Sequence, residues 1–217
     1  MRQLWILSFC AVAACGPLVQ IGNQDAPPPA LLRLSAAPDA PAPTASDTAV
    51  LRIVQPQVPA ELRTLRITVE RDATHLQFLA QGQWVEPPAA QLQRLLLTRI
   101  ANLTGRLTVD ERSADVASEQ RLSGRLTAFG LDVRQGPPRA HLRYEALLTS
   151  SAAPPRAKNF EIYLPVAQQS ASATAHALNQ ASNILAEQLA QWLNDAPGAR
   201  AEQGAEQRAE QGAVQNH

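Results

Sequence analysis

The chain has 217 residues, with 19 Lys plus Arg against 19 Asp plus Glu, so it carries no formal net charge at pH 7. A balanced chain without a basic cluster excludes nucleic acid as a partner and strong attraction to anionic headgroups. Aromatic residues make up 4% of the chain, which leaves Leu, Val, Ile and Ala to build a core.

Met1-Arg2-Gln3 gives a short cationic start, and Leu4 to Ala14 is an apolar run. At about 11 residues the run is too short to span a bilayer and suits a removable signal. Val12-Ala13-Ala14-Cys15 then reads as a lipobox, the bacterial signal at which a cysteine thiol takes diacylglycerol and the chain is cut just before it. Small residues before the cysteine leave the bond open to a peptidase. The sequence therefore predicts a signal peptide over 1–14, cleavage between Ala14 and Cys15, and diacylglycerol plus acyl chains such as palmitate on Cys15. Cys10 follows the bulky Phe9 and departs with the signal. With two cysteines in the chain, the mature protein keeps only the lipidated one. It then has no disulfide, no cysteine metal site and no cysteine nucleophile. Gram-negative lipoproteins held at the inner membrane carry Asp after the cysteine. Gly16 here implies the periplasmic face of the outer membrane.

Residues 15–48 read as the lipidated cysteine and a tether. Pro27-Pro28-Pro29, Pro38, Pro41 and Pro43 break regular structure, with Ala, Ser and Asp between them. As a flexible coil its ~33 residues would span about 30 Å, and in polyproline form about 100 Å. Leu31, Leu32 and Leu34 interrupt it, and packing on the chain's own domain explains them best.

Residues 49–196 predict one domain of the α+β or α/β class, a mixed, largely antiparallel sheet packed by two main helices. Ala49–Val54 is a central strand, apolar on both faces. Leu65, Ile67 and Val69 alternate with polar residues as in a half-buried strand. Residues 75–86 suggest a hairpin turning at Gln81-Gly82. Pro87-Pro88 opens a helix with one stripe of Leu92, Leu95, Leu96, Ile100 and Leu103, closed by Gly105. The polar segment Asp110–Gln120 reads as a loop. Three strands follow as an antiparallel meander. In the first, the apolar phase changes between Leu126 and Phe129, and a bulge near Phe129-Gly130 would reconcile the halves. A long amphipathic helix runs from about Ser172 to Asn194, with Ser170 or Ser172 as cap. Residues 197–217 repeat Ala-Glu-Gln at 201, 205 and 209. With nothing large to bury, this tail is expected to be disordered.

A search for chemistry finds none. His75, His141, His176 and His217 lack metal-ligand spacing, and the first two sit on polar phases where solvation is expected. No nucleophile elbow, phosphate loop or dinucleotide fingerprint is present. Asp110-Glu111 is an adjacent acid pair in a polar loop. The expectation is a protein that is no enzyme and holds neither a metal nor a cofactor beyond its lipid. Trp84 and Glu86 stand out in Gln83-Trp84-Val85-Glu86-Pro87. Trp84 would anchor the turn to the helix, and Glu86 would sit near the helix N-terminus, where the dipole favours it.

In order, the lipobox, Leu76-Gln77-Phe78, the Trp-x-Glu-Pro turn, Leu126-Thr127-Ala128-Phe129 and the final Gln191-Trp192-Leu193 resemble the ABC-type transport auxiliary lipoproteins, the paraquat-inducible protein C family. The likeness covers about residues 49–195. The longer proline-rich tether and the Ala-Glu-Gln tail depart from it. It implies a non-enzymatic periplasmic partner of ABC transporter subunits and a mammalian-cell-entry (MCE) domain protein, in a system moving lipid or other hydrophobic molecules between membranes. It also implies a homo-oligomeric ring anchored at the outer membrane, with Trp84 and Glu86 as candidate partner-facing residues. The competing reading is a structural or assembly lipoprotein of the envelope with no transporter. A small-molecule or lipid carrier is a third, and predicts a large apolar pocket.

Overall fold

The computed structural model describes residues 28–38, 50–113 and 115–195. Its centre is a long strand, β7 (Gln120–Asp132). With β8 (Arg139–Ser150) and β9 (Arg156–Pro165) it forms the expected antiparallel meander. Short strands share the other edge of β7. β2 (Leu51–Ile53) runs parallel to its start, with β6 (Thr108–Val109) beyond. β3 (Thr68–Glu70) runs parallel to its end, with β4 (Leu76–Phe78) antiparallel beyond. Between them, Gln57 bridges to Arg125 and keeps the edge of β7 hydrogen-bonded. β1 (Ala30–Leu32) and β5 (Gly82–Trp84) form a separate parallel pair. The result is an α+β domain with a mixed sheet and two main helices.

Helix α1 (Pro88–Thr104) starts with proline in its first turn and ends at Gly105, whose φ of 70° gives the left-handed cap that glycine adopts without cost. Helix α2 (Ala171–Asn194) is capped by Ser170, whose hydroxyl accepts the Ala173 N–H. Leu178, Ala181, Leu185, Leu189 and Leu193 bury its stripe against the sheet. Along β8, Ala140, Leu142, Tyr144, Ala146 and Leu148 are all buried, the period of two that puts one face on the helices. The bulge in β7 lies between Leu126 and Ala128, just ahead of the expected Phe129-Gly130. Leu122 and Leu126 reach the core on one parity and Phe129 and Leu131 on the other, so an extra residue must enter between Leu126 and Phe129. Gly124 is forced by close approach, since a Cβ there would overlap the Tyr144 phenol.

Two expectations are corrected. Residues 75–86 are no hairpin: β4 pairs with β3 and β5 with β1. The hairpin of this region is β3–β4, turned by Asp72, whose carboxylate accepts the N–H groups of Thr74 and His75. Because β4 lies at the sheet edge, Leu76 and Phe78 alternate without being buried. The second correction is the start of the folded part. Residues 30–37, read as tether, lie on the domain; Leu34 is buried and Leu32 packs beside the core as expected, while Leu31 is exposed.

Candidate functional site

Trp84 is wholly buried, 5.6 Å from Phe129 between ring centroids. An indole with no accessible surface has none to offer a partner, so the structure corrects the expectation that Trp84 faces one. Its role is packing. Its Nε1 has no hydrogen-bond partner among the described residues. Glu86 lies beside the start of α1, where its carboxylate pairs with Arg94 and its carbonyl accepts Gln91 Nε2 at 2.8 Å. The outward residue of this turn is Val85.

The segment after β1 is held by three side-chain amides, an arrangement not foreseen from sequence. Gln91 Oε1 accepts the Leu34 N–H at 2.8 Å. Asn179 Oδ1 accepts the Ser35 N–H, and Asn183 Oδ1 accepts the Ala37 N–H, each at 2.8 Å. Asn183 Nδ2 donates to the Ser35 carbonyl at 3.1 Å. Asn179 and Asn183 stand one turn apart on α2, so one helix face reads consecutive polar groups of an extended backbone. The available signal was two asparagines inside an otherwise good helix, where Asn is a poor helix former.

A charged cluster lies on the sheet face away from the helices. Asp132 has a fully buried carboxylate that accepts from Arg134 and Arg139 at 2.9 Å each. Burial pushes its carboxyl up, but hydrogen bonds from the Arg134 side chain and backbone and from Arg139, with the charge of Arg134, outweigh that. They hold it well below the usual carboxylate range. Arg134 also pairs with Glu70 at 2.9 Å, tying the turn after β7 to β3. His141 is buried at 5% exposure and not solvated as expected. Its ring stacks on Tyr163 at 4.4 Å, and its Nε2 lies 3.0 Å from Glu161. The Tyr163 hydroxyl donates to Glu161 at 2.9 Å and, with His141, lowers that carboxyl. Glu70 and Asp132 pair with Arg134 and Arg139, the pattern of a structural network.

His75 is exposed and pairs with Asp72, while His176 lies 3.2 Å from Gln180. Asp110 and Glu111 do not act together. Asp110 accepts from Ser113 and Arg112 to close a turn, and Ser113 is the main cause of its lowered pKa. Glu111 reaches Gln93. Arg52 holds this loop by donating to the carbonyls of Asp110, Ser113 and Val116. Among the described residues no group of His, Cys, Asp and Glu is placed to hold a metal ion, and no helix is long and apolar enough to cross a membrane. Ala14, Cys15, most of the tether and the Ala-Glu-Gln tail lie outside the described residues.

An open groove of about 540 Å³ on the outer sheet face is lined by Leu147, Ala157 and Gly124 together with Arg121, Arg125 and Glu145.

Comparison with known proteins gives a consistent result. A family model described as the ABC-type transport auxiliary lipoprotein component matches residues 32–190. None of the curated proteins matches the chain. Among solved structures, a Xanthomonas campestris protein of family DUF330 superposes with a TM-score of 0.64 at 19% identity, over 76% of this chain and 93% of that one. A second, uncharacterized protein gives 0.63 at 15% identity, over 77% and 99%. At these identities the likeness shows the fold.

Proposed function

The chain belongs to the ABC-type transport auxiliary lipoprotein family, and on that premise we propose that it is the non-catalytic, lipid-anchored periplasmic component of an ABC transporter working with an MCE-domain protein. Its system moves lipid or other hydrophobic molecules between the inner and outer membranes. The observation that carries this reading is the family match over residues 32–190, downstream of a lipobox ending at Cys15. Cleavage after Ala14 frees Cys15, its lipids enter the outer membrane, and Gly16 lacks the inner-membrane retention residue. Two or three acyl chains supply stable anchoring that one chain does not. The folded domain then serves by attachment, as a homo-oligomeric ring. Glu86, at the surface beside α1, is a candidate contact for a transporter partner.

The test is affinity capture of the full-length protein from solubilised membranes, with mass analysis of its N-terminus. The expected result is a triacylated or diacylated N-terminal Cys15 and co-recovery of an MCE protein, a permease and an ATPase. Recovery of none of these three overturns the transport reading. An unmodified Cys15 overturns the anchor.

A further inference from the structure

Resting on the lipid-anchor reading above, we propose that the outward face of the β1–β5 pair, presented by Leu31, Arg33 and Val85, lies against the phospholipid bilayer that carries the Cys15 lipid. The register fixes which side chains share this face. Leu32 pairs with Trp84, and both point inward, as does the Gly82 position, which lies against Ala171 of α2. Leu31, paired with Gln83, therefore points outward, as do the next residues along, Arg33 and Val85. The Val85 N–H donates to the Leu32 carbonyl at 2.9 Å, which extends the ladder to this position.

Leu31 is 66% exposed and Val85 46% exposed, while Arg33 is exposed without an ion-pair partner among the described residues. Two aliphatic side chains beside a free guanidinium suit the boundary between acyl chains and phosphates. Leu76 and Phe78 form another exposed apolar pair, but the Arg66 guanidinium covers the Phe78 ring at 4.4 Å.

What selects the bilayer as occupant is where the chain enters the fold. Ala30 is the first residue of β1, so the lipid-bearing segment joins the domain at this face. From Cys15 to Ala30 the chain is about 15 residues, at most about 50 Å when fully extended. As a flexible coil such a length spans about 20 Å, comparable with the radius of a domain of this size. The amide clamp on residues 34–37 sets this short reach, because it prevents the tether from extending to residue 48. A short tether gives its neighbouring surface a high effective concentration at the membrane, so a weak contact suffices to orient the domain.

The experiment uses the full-length lipoprotein in vesicles of phosphatidylethanolamine and phosphatidylglycerol. An environment-sensitive fluorophore is attached in separate variants at Leu31→Cys, Val85→Cys and, as control on the outer sheet face, Asn159→Cys. Flotation with the vesicles reports the anchor, and bleaching by aqueous dithionite reports the contact. The proposal expects flotation of all three, with blue-shifted emission and slowed bleaching at residues 31 and 85 and neither change at 159. Flotation with residues 31 and 85 bleached as fast as 159 overturns the contact and leaves the anchor standing. A chain that does not float overturns the anchor reading and this proposal with it. Protection of residues 31 and 85 that appears without vesicles in the Cys10→Ser, Cys15→Ser chain, rising with its concentration, assigns the face to a second copy and overturns the bilayer.

Discussion

The β7–β9 meander and the β1 strap hold their register by different means. Strands of 13, 12 and 10 residues in the meander pair along their whole length, and alternating apolar residues fix which face turns inward. β1 is 3 residues long and carries too little alternation to specify anything alone. Its position is set by the parallel ladder to β5, by Leu32 and Leu34, and by the amides of Gln91, Asn179 and Asn183. Long strands carry their address in their own sequence. A short one is addressed by side chains more than fifty positions away.

That contrast can be broken first where the two regions meet. Trp84 pairs with Leu32 of the strap and packs on Phe129 of the meander. Trp84→Ala is expected to cost about 3–5 kcal/mol of global stability, measured by urea unfolding, with both regions lost together. A change confined to the strap would show that the meander does not depend on this contact.

Next comes Asp132, inside the meander sheet. Asp132→Ala removes the partner of two guanidiniums, which costs about 3–5 kcal/mol when a buried pair is broken. The lower end is expected because Arg134 and Arg139 are each about a third exposed. The sign of the pH dependence follows from the lowered carboxyl. Its contribution is complete above the unfolded Asp value near about 4 and is lost as pH falls below it. Unfolding followed from pH 7 to pH 3 should show an acid-side loss in the native chain that is reduced in Asp132→Asn. Equal slopes would refute the role given to this carboxylate.

A smaller and local effect sharpens the comparison. Asn183→Ala deletes the acceptor for Ala37 and the donor to Ser35, worth about 1–3 kcal/mol in all. Hydrogen exchange at residues 34–37 should accelerate while protection along β8 is kept. Arg125→Ala should matter least, at under about 1 kcal/mol, since its 3.6 Å pair with Glu145 is largely solvated. A larger loss would mean that the outer groove stabilises the sheet.

The legible parts of the fold were those with period and punctuation. The β8 alternation, the α1 stripe with its proline start and glycine stop, and Ser170 ahead of α2 each have a local cause. The sequence suggests a hairpin over 75–86 because the true partner of β5 lies in a proline-rich stretch whose composition argues for a tether. His141 looked solvated because alternation reports which face a residue takes. It does not report that Tyr163 and Glu161 cover that face. Trp84 was visible as a marked residue, but only its packing against Phe129 decides that it belongs to the interior. Cys15 lies outside the described residues, and its part in function rests on the sequence pattern.

The amide clamp also has a consequence for the order of events during synthesis. Ser35 and Ala37 meet side chains 144 to 148 residues further along the chain. Closing so long a loop is entropically costly until the intervening sheet has brought the ends together. Asn179 and Asn183 sit on the last helix, so the clamp cannot form until nearly the whole domain has emerged. Residues 35–37, near the start of the domain, are therefore among the last to be fixed, and a chain truncated before α2 would keep only the β5 ladder and the Gln91 bond to Leu34.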